Sequence, residues 1–98
     1  MARILSFLNI NSSGDLEGIP LKDVCSIEIE NKATETCYVE TSASKSFICS
    51  IASGSSRQWS TDAEDTFTDD AKLWIHFADS NQIKAEGTAL VMIQKRSL

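Results

Sequence analysis

The sequence predicts an all-β fold, an antiparallel β-sandwich or jelly-roll-like barrel of about seven to eight short strands. Apolar and polar residues alternate with a period of two along most of the chain, and no stretch of about a dozen residues carries the i, i+3, i+4, i+7 stripe of an amphipathic helix. Turn-forming residues interrupt the alternation roughly every eight to twelve residues, and without crossover helices the strands have to run antiparallel. The 98 residues are 42% hydrophobic and 23% charged, the composition of one folded domain over 1–98 rather than of a disordered segment.

The first strand is expected over Arg3 to Ile10 and ends at the turn-rich Asn11-Ser12-Ser13-Gly14. Glu17-Gly18-Ile19-Pro20 reads as a second turn because it holds both a glycine and a proline. Strands follow at Asp23 to Glu30, Thr36 to Thr41, Phe47 to Ile51, Gln58 to Ser60, Asp65 to Thr68, Lys72 to Ala78 and Thr88 to Gln94. Between them, Ser42 to Ser46, Ser53-Gly54-Ser55-Ser56, Asp79-Ser80-Asn81 and Glu86-Gly87 supply turn chemistry, and a short helical turn is compatible with Thr61 to Asp65.

Two hairpin registers follow from matching apolar faces. Closure through Asn31 to Glu35 sets Ile29 opposite Cys37, Ile27 opposite Val39 and Cys25 opposite Thr41, while closure through Ser42 to Ser46 sets Val39 opposite Cys49 and Cys37 opposite Ile51. Each cysteine thereby shares a face with Ile27, Val39 or Ile51, as a small buried hydrophobe does. No Cys-x-x-Cys pair occurs and His76 is the single histidine, so reduced core thiols are expected rather than a zinc site.

Two late strands are apolar on both faces. Leu73, Ile75 and Phe77 alternate with Trp74, His76 and Ala78, and Ala89, Val91 and Ile93 alternate with Leu90 and Met92. A half-buried strand presents polar residues on its outer side, so this surplus calls for a second layer or a partner. Either the N-terminal segment with Leu5 and Phe7 covers the surplus, or Trp74, His76, Leu90 and Met92 meet another subunit; a ligand platform is a third reading. Trp59, in Arg57-Gln58-Trp59-Ser60 after a Gly/Ser loop, reads as a core plug at a sheet edge or as an exposed aromatic platform for a ligand.

Signs of catalysis are sparse. A Ser-His-Asp arrangement would have to use His76, which falls in mid-strand beside Trp74. The acidic stretch Thr61 to Asp70 gathers carboxylates that could meet calcium but lacks the ligand spacing and central glycine of an EF-hand loop. No phosphate-binding glycine loop is present, so no cofactor is expected. A net charge of −5 argues against a nucleic-acid surface, and no run approaches a membrane span. The N-terminal apolar stretch lacks the features of a signal peptide, so a cytosolic protein, or one in a particle assembled there, is expected.

A strand ending Ile27-Glu28-Ile29-Glu30-Asn31, a Ser/Gly loop leading to Arg57-Gln58-Trp59-Ser60, and then Asp69-Asp70-Ala71-Lys72-Leu73-Trp74-Ile75 form an arrangement. Over roughly Asp23 to Gln94 it resembles the small β-sandwich accessory proteins of tailed-phage virions. The resemblance implies a non-enzymatic component of capsid, neck or tail, a homo-oligomer whose strands pack across a symmetry axis and which attaches to other structural proteins. A soluble carbohydrate- or protein-binding module is the alternative expectation.

Overall fold

The computed structural model describes residues 3–41, 47–60 and 72–96. They form nine strands: β1 (Arg3–Ser12), β2 (Glu17–Pro20), β3 (Val24–Asn31), β4 (Thr36–Thr41), β5 (Phe47–Ile51), β6 (Ser56–Ser60), β7 (Lys72–Ala78), β8 (Lys84–Ala85) and β9 (Gly87–Arg96). The expected turn at Ser42 to Ser46, the helical turn near Thr61, the strand at Asp65 to Thr68 and the acidic stretch to Asp70 lie outside the described residues.

Two antiparallel sheets are present, one in the order β1-β9-β3-β6 and the other β2-β7-β4-β5, with β8 paired to β7. Of the eight connections only β4–β5 and β7–β8 stay within a sheet. The remaining connections switch sheets, so consecutive strands alternate between the layers and return beside earlier ones. With the two-residue β8 set aside, this alternation and strand order are those of the eight-stranded jelly roll.

Alternation explains the core. Ile27 and Ile29 from β3, Val39 from β4, Ile75 and Phe77 from β7, and Ala89 and Val91 from β9 are fully enclosed between the layers. The Phe77 ring packs directly on the backbone where β9 begins: a Cβ on Gly87 would lie 2.4 Å from Cγ of Phe77. Only a residue without a side chain lets the Phe77 ring rest against that backbone.

The strand expectations hold for Thr36–Thr41, Phe47–Ile51 and Lys72–Ala78, and the β4–β5 register is the expected one, with Cys37 opposite Ile51 and Val39 opposite Cys49. The Asn31-to-Glu35 hairpin is corrected. β3 pairs with β6 and β9, β4 pairs with β5 and β7, and the chain between them crosses from one sheet to the other. Asn31 organises that crossing. Its buried side-chain amide donates to the carbonyls of Ile51 (2.9 Å) and Glu35 (2.8 Å), and its Oδ1 accepts from the Ala33 N–H at 2.8 Å. Its backbone also bonds to Gly54 and Ser55, tying the β3–β4 and β5–β6 crossings into one corner.

Glu17–Pro20, read as a turn, is a strand. Ile19 is fully buried, and Pro20 is tolerated because β2 is a short strand at the sheet edge. Cys25 is buried as expected, at a bulge where the β3–β9 register shifts between Val24 and Ser26, with its thiol donating to the Gln94 carbonyl at 3.3 Å. None of the three cysteines is in a disulfide.

Candidate functional site: the outer faces and the β1 edge

The residues expected at an interface do not form one surface. Trp74 and His76 lie on the outer face of the β2-β7-β4-β5 sheet, and Leu90 and Met92 on the outer face of the opposite sheet.

Trp74 and His76 are largely covered by their own chain. The Trp74 ring rests on the bare backbone of Gly18, where an added Cβ would come within 3.0 Å, and the Lys72 ammonium stands 5.5 Å from the ring centroid. His76 stacks on Tyr38 with centroids 5.2 Å apart and planes inclined by 19°. Tyr38 in turn accepts a hydrogen bond from the Gln82 amide at 2.8 Å. His76 Nδ1 is buried and lies 3.8 Å from Glu40 Oε1, beyond hydrogen-bond reach. A catalytic triad needs that nitrogen held by a carboxylate. The adjoining groove of about 400 Å³ is lined by Gly14, Asp15, Leu16, Glu40, His76 and Lys84. Among the described residues no group of three or more His, Cys, Asp or Glu is placed to hold a metal.

Trp59 is half-buried and packs against the core from the edge strand β6, opposite Ile27, which is the core-plug arrangement. Cys37 lies deeper in the core: burial, and secondarily the neighbouring Cys49, push its thiol up to about 12.

The outer face of the β1-β9-β3-β6 sheet divides into two halves. Toward β6 it is polar, with Gln58 donating to the Ser26 hydroxyl and Glu28 and Glu30 alongside. Toward β1 it is apolar. Leu90 and Met92 are half-buried, and Met92 pairs with Phe7, so Leu5 and Phe7 lie beside the surplus patch in the same sheet and widen it rather than cover it.

Four large apolar side chains of β1 stand in water: Phe7 at 61% exposure, Ile4 at 56%, Leu5 at 50% and Leu8 at 44%. They occupy both faces of the strand, since Ile4 and Leu8 share the side of the buried Ile10 while Leu5 and Phe7 alternate with them. Together they leave roughly 400 Å² of apolar surface in water, divided between the two faces of one edge strand. The sign that marked Leu90 and Met92, apolar residues on both faces of one strand, is equally present in Ile4-Leu5-Ser6-Phe7-Leu8.

The other sheet edges are blunted. β6 has five residues of polar character, β5 has five with a register shift opposite it, and β2 has four ending at Pro20, with the two-residue β8 beyond. β1 is ten residues long, pairs with β9 without a register shift, and carries neither charge nor proline from Ile4 to Ser12. A long, uncharged edge strand bearing exposed apolar side chains is a template for pairing with another chain. No protein-family profile matches the sequence, and no curated protein or solved structure is significantly similar to it.

Proposed function

We propose that this protein is a non-enzymatic structural component that self-associates and joins a larger assembly, with an accessory place in a virion as the specific form. The observation that carries the reading is the β1 edge, where exposed apolar side chains coincide with a strand side that no other described strand pairs. Jelly rolls occur in viral capsid domains and also in lectins and cupins. That fold likeness is compatible with an assembly role without selecting it, and the selection rests on the surface. The partners are then copies of this chain and other structural proteins, in the host cytoplasm before assembly and in the particle after it.

The alternative binding-module reading required Trp59 or Trp74 as an open platform. The packing of Trp59 on the core and of Trp74 on Gly18 weighs against it.

Molar mass by light scattering after size exclusion, across a concentration series at moderate salt, tests the proposal. A discrete oligomer is expected. A monomer at every concentration, combined with a change in tryptophan fluorescence during a glycan titration, would replace the assembly role with the binding module.

A further inference from the structure

The β1 edge also specifies how a second copy would meet it. An isologous contact requires that residue i meet residue j while j meets i, so the strand has to be complementary to itself when reversed. Ile4-Leu5-Ser6-Phe7-Leu8 has that property about Ser6. Reversed on this centre, Leu5 stands opposite Phe7 of the copy on the outer face, Ile4 opposite Leu8 on the inner face, and Ser6 opposite itself. A centre at Phe7 instead sets Leu5 against Asn9 and Ser6 against Leu8, placing polar groups against apolar ones on both faces.

We propose that two copies of this chain pair antiparallel along β1 about a two-fold axis through Ser6, joining their four-stranded sheets into one continuous eight-stranded sheet. The inference rests on the self-association reading above and adds its partner and geometry. Two chains of net charge −5 meet here without like charges opposed, because Ile4 to Ser12 is uncharged. Across the pairing the exposed apolar side chains of the two copies stand side by side on both faces, and the main-chain groups along the edge gain partners. On the outer face each Phe7 stands between its own Met92 and Leu5 of the copy, so the half-buried β9 residues become part of the same apolar row.

Directly paired residues in an antiparallel ladder have Cα atoms about 4.5–5.5 Å apart, within disulfide range. On a Cys49→Ser background, with Cys25 and Cys37 buried, Ser6→Cys is therefore expected to cross-link to itself under mild oxidation by glutathione disulfide. Asn9→Cys, three residues from the axis, stands roughly 20 Å from its own copy and is expected to remain unlinked. Both sites are exposed, and circular dichroism of each variant checks the fold. If light scattering gives a discrete oligomer but Ser6→Cys links no better than Asn9→Cys, the pairing is overturned while self-association stands. A strict monomer overturns both.

Discussion

The corner at Asn31 and the edge at β1 both place residues of unexpected polarity, and they resolve it in opposite ways. At the corner a polar side chain is fully enclosed, and each of its polar atoms has a partner within the chain. Along β1 apolar side chains stand in water beside a main-chain edge that no other described strand pairs. The first region is complete as a monomer; in the proposed assembly the second is completed by another molecule. Damage at the corner should therefore appear as lost stability with association untouched, and damage at the edge as lost association with folding untouched.

The largest effect on folding is expected for Asn31→Ala. It strands two carbonyls and one N–H that the side chain satisfies, at about 1–3 kcal/mol each where burial is complete, so a loss on the order of 4 kcal/mol is expected in urea unfolding. Asn31→Asp sharpens the test because it keeps the acceptor for Ala33 and removes the donors to Ile51 and Glu35. Its carboxylate would face those two carbonyls in a buried site, so at neutral pH it should unfold at least as readily as Asn31→Ala if the corner works as described.

Gly87→Ala comes next. Its methyl group would have to displace the Phe77 ring packed on that backbone, and such overpacking costs about 1–3 kcal/mol. The same thermal or denaturant melt measures it.

Phe7→Asp inverts the pattern. An exposed position away from special contacts changes monomer stability by only about 0.5 kcal/mol, whereas a charge in the apolar row should abolish association. A variant that unfolds instead would show that Phe7 belongs to the core.

The smallest effect at neutral pH concerns Cys37. Its thiol is raised in the fold from an ordinary value of 9.0 to about 12, so it stays protonated while the unfolded chain ionises first. The unfolded state then binds fewer protons, and stability falls as pH rises from about 9 toward 12. Cys37→Ala should flatten that alkaline decline. At neutral pH, maleimide labelling should modify half-buried Cys49 well before Cys37, which reacts only as the core opens.

Much of the fold was legible where the signal is local. The β4–β5 register follows from matching Val39 with Cys49 and Cys37 with Ile51, because a hairpin joins neighbours in sequence. The same matching misled for β3 and β4, since any two alternating strands can be aligned on paper and only the long-range pairing of β3 with β9 decides between them. Asn31 reads as a turn residue; that it is buried depends on carbonyls delivered by β5 and the β3–β4 crossing. Gly18 and Pro20 hid β2, although Gly18 is there to seat Trp74 and Pro20 lies at an edge. At the candidate site the two-faced apolar pattern identified Leu90 and Met92. Periodicity reports a residue's face and not its neighbour, so it leaves open whether Leu5 and Phe7 cover the surplus or extend it, and only the β1–β9 register decides that they extend it.

The most direct test of the open β1 edge is sedimentation equilibrium of the wild type and Phe7→Asp side by side, with circular dichroism on both. The wild type should form a discrete oligomer and Phe7→Asp a folded monomer. Equal masses for the two folded proteins would contradict the account, because the most exposed apolar residue of β1 would then have no part in assembly.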